Sequence, residues 1–518
     1  MRDHQHGNAL FAIEPPQKLH DFFTALRIQI PRGLIGQDQL LDISLADPTV
    51  LKVDPVVSGA ERTVTFPVLP GTDLTSLAPT FTAAAGVTVS PASGTAVDLS
   101  EPVDYVLTAP DGATYTWTLT AVEMRSPVLP GLYADPNIAV FGDTYYIYAT
   151  TDGYPGWGGK DFYVWSSKDL VSWERSAEPF LTLDGADGNV PWATGNAWAP
   201  TIIERDGRYY FYFSGHNATY DRKTIGVAVA DHPEGPFTAQ PTAMILNDEA
   251  VTSGQAIDPA AFHDPVSGTY FLYWGNGRPV YAELADDMVS LVPGTIREQQ
   301  GLTDYREGTF VNYRDGRYHL TYSIDDTGSP NYRVGYATAD SPHGPWTYRG
   351  VILEKDPALG ILGTGHSSVL NVPGTDDWYI VYHRFAMPGG NGNNRETTID
   401  RLTFDEDGFM QRVTPTLQSV GPQLVELPPT GPALTVTAEN RCVVGKVVTA
   451  VRVSNESGEA VMATVSTPHG TRALTVGAGA TSSVALTTRL TAVPAGEATV
   501  TADGHVPVTA AYGPSSCR

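Results

Sequence analysis

Five short segments recur through the middle of the chain, and four of them carry a side chain able to hold or pass on charge. They are Tyr133-Ala134-Asp135-Pro136-Asn137, Ala197-Trp198-Ala199-Pro200, Ala256-Ile257-Asp258-Pro259-Ala260, Arg306-Glu307-Gly308-Thr309-Phe310 and Gly363-Thr364-Gly365-His366-Ser367. Singly they say little. An Asp before Pro commonly opens a turn, a lone Glu is ordinarily solvated, and a His after Gly can simply hydrogen-bond a core carbonyl. At a shared spacing they become three carboxyl groups and an imidazole at equivalent places in a repeat. Convergent carboxyl groups suit hydrolysis of a glycosidic bond. One, protonated, gives its proton to the leaving oxygen, while another, ionised, activates a water on the opposite face. A third raises the acid's pKa by like-charge repulsion.

The elements that must position them are also legible. Downstream of each segment comes a turn and then an aromatic-rich strand, with Tyr146, Tyr210, Tyr270, Tyr318 and Tyr379 as markers spaced 48 to 64 residues apart. Examples are Gly142-Asp143-Thr144-Tyr145-Tyr146-Ile147-Tyr148 and Asp206-Gly207-Arg208-Tyr209-Tyr210-Phe211-Tyr212. Self-similarity at this period signals repeated supersecondary units. A four-stranded blade with its loops fits the length, and radial repetition protects the edges of so many short strands. The expectation is a five-bladed β-propeller over residues 126–425, with Asp135, Asp258, Glu307 and His366 converging at one end of its channel. A two-sheet jelly roll does not predict five equal copies.

An all-β chain with two flanking domains is expected. Residues 1–125 hold a hairpin signal, Tyr105-Val106-Leu107-Thr108 and Tyr115-Thr116-Trp117-Thr118-Leu119 around Pro110-Asp111-Gly112, and read as a β-sandwich behind an unassigned leading segment. Within that segment Leu19–Leu26 is the clearest short amphipathic stretch. Residues 432–518 alternate Val, Thr and Ala with almost no aromatics and read as an immunoglobulin-like sandwich. Leu427-Pro428-Pro429-Thr430-Gly431-Pro432 reads as the linker. The only two cysteines, Cys442 and Cys517, lie in this last part and are expected to form one disulfide, which implies an oxidising compartment. Neither flank shows an aromatic platform for sugar, so both are read as spacers.

The formal net charge of −25 argues against a nucleic-acid partner, because phosphate binding needs a basic field, and favours a neutral substrate over an anionic polymer. No run of 18 apolar residues exists, so no helical membrane span is expected. The start lacks the apolar core of a signal peptide. The expectation is a secreted protein, acting as a monomer, whose signal lies outside this sequence.

These segments together resemble glycoside hydrolase family 43, a family of five-bladed propeller glycosidases. The resemblance covers about residues 126–425. Tyr133-Ala134-Asp135-Pro136 with Asp143-Thr144-Tyr145-Tyr146 resembles the family's first blade, which implies Asp135 as general base. Ala256-Ile257-Asp258-Pro259 before Tyr270-Phe271-Leu272-Tyr273-Trp274-Gly275 implies Asp258 as the residue tuning the acid's pKa. Glu307-Gly308-Thr309-Phe310-Val311 implies Glu307 as general acid, although Thr309 stands where the family usually has Pro. Arg395, in Arg395-Glu396-Thr397 after a Gly/Asn loop, resembles the family's subsite arginine; otherwise it forms a structural ion pair. Trp198 either presents a face to the sugar or packs the second blade. His366 matches a position associated with a metal ion or ordered water. A structural calcium is expected there, its remaining ligands being water because calcium prefers oxygen.

The function these readings imply is an inverting, exo-acting α-L-arabinofuranosidase on plant-type polysaccharide or oligosaccharide. The alternatives are a β-xylosidase or a galactan- or galactofuranoside-acting hydrolase of the same family. A carbohydrate-binding propeller without catalysis would lack a carboxylate, and all three are present. A retaining fructan-cleaving propeller would need an Arg-Asp-Pro segment and a Glu-Cys pair, whereas Ile257 precedes Asp258 and neither cysteine is in the propeller.

Overall fold

The computed structural model describes residues 36–425, 434–456, 458–502 and 507–517. Leu19–Leu26 and the linker Leu427–Pro432 lie outside the described residues.

Between residues 133 and 402 five antiparallel up-and-down sheets of three or four strands follow one another, with a small two-stranded sheet, Asp161–Phe162 and Leu181–Thr182, beside the first. Their innermost strands are Tyr133–Phe141, Trp198–Arg205, Ala260–His263, Glu307–Arg314 and Gly365–Asn371. Each packs against the innermost strand of the next sheet, and the fifth returns to the first. The sheets therefore close a ring about a central channel, as the repeat predicts. Four sheets have four strands. The fifth has three, Gly365–Asn371, Trp378–Phe385 and Arg395–Leu402, one fewer than the repeat length suggests. After Leu402 the chain turns away and Val413 bonds to Ile352 of the fourth sheet instead, so no outer strand is laid down.

The aromatic phrase explains why the sheets pack. Successive side chains of a strand face opposite ways, and in a propeller both faces are buried against neighbouring blades. Tyr145 and Ile147 enter the core shared with the fifth sheet, beside Leu370, Tyr379 and Val381. Tyr146 and Tyr148 enter the core shared with the second, beside Phe211 and Phe213. Two further cores join the second sheet to the third and the third to the fourth, and a last one joins the fourth to the fifth.

Strand Thr63–Val68 runs parallel to Thr114–Glu123 in a five-stranded sheet at the N-terminal side. The hairpin signal is realised there, with Tyr105 opposite Trp117 and Leu107 opposite Tyr115. Trp117 is buried and its indole donates to the Asp38 carbonyl, so it offers no face to a ligand. This part seats on the propeller through Val53 and Val122 against Met124, Ile361 and Met387. At the C-terminal side a three-stranded sheet and a four-stranded sheet share one core, which includes Val451, Val453, Ala463, Val465 and Val500.

Cys442 and Cys517 are disulfide-bonded across a sequence separation of 75 residues. Removing a cross-link over a loop of that size costs about 2–5 kcal/mol. The Cys442→Ser/Cys517→Ser variant should therefore unfold its C-terminal part at clearly lower denaturant concentration, followed by hydrogen exchange in residues 434–517. Unchanged protection there would show that the bond is not a stabilising staple.

Candidate active site

At one end of the innermost strands five residues take the left-handed backbone conformation: Asp135 (φ 53°), Ala199 (φ 40°), Asp258 (φ 58°), Gly308 (φ 65°) and His366 (φ 46°). In four of the sheets the strand register shifts at this point. Such a bulge bends the strand and re-aims its side chains. This revises the register read from sequence. Trp198 and Glu307 align by chemistry with Asp135, Asp258 and His366, but the backbone equivalents are Ala199 and Gly308, one residue later. The reason is steric. A Cβ at Gly308 would sit 3.1 Å from His366 Cγ, so the left-handed place falls to glycine and Glu307 reaches the site from the preceding residue.

The bulges are stitched from blade to blade. The backbone N–H of Asp135 donates to His383 Nδ1 at 3.1 Å, that of Ala199 to Thr150 Oγ1 at 2.8 Å, that of Asp258 to Ser214 Oγ at 3.0 Å and that of His366 to Ser323 Oγ at 2.9 Å. Each acceptor stands on the second strand of the preceding sheet. At the remaining junction the Gly308 N–H donates to the Asp258 carboxyl. The polar groups freed by the bulges are thus satisfied by the neighbours that fix their position.

Asp135, Asp258, Glu307, His366, Arg395 and Trp198 all line one cavity of about 250 Å³ at this end of the channel. Asp135 Oδ1 accepts from Arg395 Nη1 at 3.1 Å and Oδ2 from Thr150 Oγ1 at 2.7 Å. Burial is the largest single influence and would raise this carboxyl, but the Arg395 guanidinium together with His366 and His383 outweighs it and holds the group well below the usual carboxylate range. Glu307 accepts from Tyr332 Oη at 2.9 Å and Asn276 Nδ2 at 2.6 Å. Burial nevertheless pushes Glu307 up, and burial together with the Glu307 charge pushes Asp258 well above its ordinary range. His366 Nδ1 lies 3.3 Å from Asp135 Oδ1 and 3.8 Å from Asp258 Oδ2, and burial lowers its pKa, leaving it a neutral ring between two carboxyl groups. One site therefore holds an ionised carboxylate and a pair of carboxyl groups that retain a proton, the combination acid–base chemistry needs.

Arg395 lines the cavity and forms the ion pairs expected of a structural arginine. Its Nε and Nη2 donate to Asp152 at 2.9 and 3.2 Å, its backbone N–H donates to the same carboxylate, and its Nη1 reaches Asp135. Trp198 lines the cavity while its indole donates to the Trp157 carbonyl at 2.6 Å. Sequence reasoning missed Asp152, Trp157, Asn276, Arg306, Tyr332 and His383. Of these only Trp157 carried a signal, an aromatic inside Tyr154-Pro155-Gly156-Trp157-Gly158 just past the first blade's second strand. Arg306 sits beside Glu307 in its recurring segment, where the spacing marks the Glu, and the others lie outside those segments.

Among the described residues no group of three or more His, Cys, Asp or Glu side chains is disposed to hold a metal ion. Nor is any helix there long and apolar enough to cross a membrane.

The model of glycosyl hydrolases family 43 matches residues 124–410, and that of "SGBP, N-terminal" matches residues 48–121. The chain is 33% identical over 318 residues to a β-D-galactofuranosidase of Aspergillus niger, covering 58% of this chain and 88% of that one. It is 29% identical over 330 residues to a xylosidase/arabinosidase of Bacteroides ovatus, covering 54% and 95%. It is 30% identical over 331 residues to an arabinoxylan arabinofuranohydrolase of Bacillus subtilis, covering 54% and 62%. A thermostable family-43 glycoside hydrolase of known crystal structure superposes with a TM-score of 0.51 at 29% identity, covering 57% of this chain and 98% of that one.

His383 gives the site a pH-dependent stability. Its Nδ1 accepts the Asp135 N–H and lies 3.1 Å from Asp135 Oδ1, while its buried Nε2 has no hydrogen-bond partner. Burial and then the Arg395 charge push the imidazole down to about 4. The unfolded chain, titrating near 6.5, takes up the proton first. Stability is therefore full above pH 6.5 and declines as pH falls towards 4, by on the order of 3 kcal/mol. Thermal midpoints of the parent should drop over this window, and those of His383→Gln should drop less steeply. Parallel slopes would remove His383 as the cause.

Proposed function

This chain belongs to glycosyl hydrolases family 43, and on that premise we propose that it is an inverting, exo-acting α-L-arabinofuranosidase that trims neutral plant-type polysaccharide or oligosaccharide. The observation that carries the mechanism is the single cavity in which Asp135 is held ionised while Asp258 and Glu307, both pushed upward, share a proton. Asp135 and Glu307 stand on non-adjacent blades, the first and the fourth, an arrangement that suits the wide carboxyl separation an inverting pair needs to admit a water. Glu307 gives its proton to the glycosidic oxygen as the bond to the anomeric carbon breaks. Asp135 takes a proton from the water that attacks that carbon from the opposite face, and the released sugar has inverted configuration. Asp258 shares a proton with Glu307 and keeps it available at neutral pH. Arg395 orients Asp135 and lines the sugar subsite.

The arabinose assignment draws on relatives named for arabinose-releasing activities. The galactofuranosidase relative favours a second reading, since galactofuranose presents the same five-membered ring to such a pocket. A β-xylosidase is the remaining alternative. A calcium ion at His366 would take one imidazole nitrogen from the protein and its other ligands from water, because no protein cage surrounds it, and no step here runs through it. The reading includes three domains at about 1–125, 126–425 and 432–518, the outer two as sandwich spacers. It also includes secretion, supported by the disulfide, and action as a monomer, supported by a cavity built from one chain.

Asp135→Asn should cut kcat by about 10²–10⁴ while substrate still binds; a rate within tenfold of the parent would refute its role as base. Asp258→Asn should let Glu307 ionise at lower pH, moving the alkaline limb of the pH–rate profile downwards, and a limb that stays in place would leave Asp258 a structural residue. NMR of the first product from an α-L-arabinofuranoside should give the β-anomer. The α-anomer, or sugar trapped covalently on Asp135, would overturn inversion.

A further inference from the structure

The cavity is graded in depth. Asp135, Asp258 and Glu307 have side chains no more than 9% exposed, whereas Arg306 is 38% and Asp326 57% exposed. The three carboxyl groups thus line the closed part of the cavity, and Arg306 and Asp326 its open mouth. A glycosyl unit held on the floor must send its leaving group outward past Glu307, and the next side chain on that path is Arg306.

Arg306 is fixed for this role. Its backbone N–H donates to the Ser323 carbonyl, its Nη2 donates to Asp326 Oδ2 at 2.7 Å, and its Nε is 3.7 Å from Glu307 Oε2. That last distance is too long for a hydrogen bond. Arg306 Nε is consequently a buried donor without a partner at the wall of the cavity. A guanidinium whose N–H is left unpaired beside a sugar pocket lacks an acceptor of the kind a hydroxyl supplies.

We propose that Arg306 is the specificity-determining residue for the leaving-group sugar, donating hydrogen bonds to hydroxyl oxygens of a neutral glycosyl unit that occupies the mouth of the pocket. This rests on the reading of Glu307 as acid. The neutral class follows from charge. Asp326 already balances the guanidinium, so a uronate would meet no unpaired cation there, while a hydroxyl oxygen meets an unpartnered donor. Arg306 stands immediately before the acid in sequence, so its main chain and that of Glu307 are one strand entry. Recognition of the departing sugar is thereby built onto the same rigid segment as its protonation.

The test separates recognition from help given to the acid. A disaccharide and the methyl glycoside of the released sugar, whether arabinofuranose, galactofuranose or xylopyranose, both leave as alcohols that need the acid's proton. Only the disaccharide carries hydroxyls into the mouth. For Arg306→Met the ratio of kcat/KM on the disaccharide to that on the methyl glycoside should fall about tenfold or more, and Arg306→Lys should restore part of it. If both substrates fall together, or the ratio holds, Arg306 does not recognise the leaving sugar. Glu307→Gln tests the premise separately: it should abolish turnover of both substrates, and activity surviving on both would remove the acid assignment whatever the Arg306 ratio.

Discussion

Arg395 stands on the last strand of the ring, and Asp135 and Asp152 on or just after its first two strands, so their buried ion pairs span the seam where the propeller must close. Among the described residues no strand crosses that seam to pair with the opposite sheet. Side chains do much of the joining, beside backbone bonds from Val128 to Thr397 and from Gly153 to Asn393. Besides Arg395, Thr397 Oγ1 donates to the Tyr133 carbonyl, Ser368 Oγ donates to that of Pro136, and the Asp135 N–H reaches His383. A charge in a site this dry persists only when paired and hydrogen-bonded. Closure of the fold and ionisation of Asp135 are therefore one condition: opening the seam would strip Asp135 of the cation that keeps it charged.

From that condition the rest of the site follows. Three carboxyl groups share one cavity, yet their surroundings drive them apart. Asp135 has a guanidinium and a hydroxyl on its two oxygens. Glu307 has only neutral donors, Tyr332 and Asn276, in hydrogen-bond contact, and Asp258 faces carboxyl neighbours. Division of labour among identical functional groups is thus set by what each blade contributes opposite them. Arg306 sits at the edge of this arrangement, close enough to Glu307 to matter and open enough to meet a substrate.

The N-terminal part bears on the same region. Its Val53 and Val122 pack with Met387, which lies just before the Pro388–Asn394 loop leading to Arg395. That loop's Gly392 carbonyl accepts the Trp157 indole N–H at 2.6 Å, and Trp157 in turn accepts from Trp198. The pocket rim is thereby braced by loops of the first and last blades held edge to edge.

The sequence by itself determined the ring and the chemistry on it. The five aromatic phrases mark strands whose two faces are both buried, a local pattern that period-2 alternation makes readable, and the three carboxyl groups fall in corresponding segments of the repeat. Only the tertiary structure decided their true register, with Ala199 and Gly308 rather than Trp198 and Glu307 at the left-handed positions, because backbone sterics are blind to which neighbour carries the useful side chain. Only it brought in Asp152, His383, Tyr332, Asn276 and Arg306. These act on residues up to 248 positions away along the chain, His383 on Asp135 among them, and nothing local records a partner at that distance. The charge states of the site belong to the same category, since a carboxyl group's ionisation depends on burial and on which cation lies beside it, and the chain acquires both only when the fifth blade meets the first.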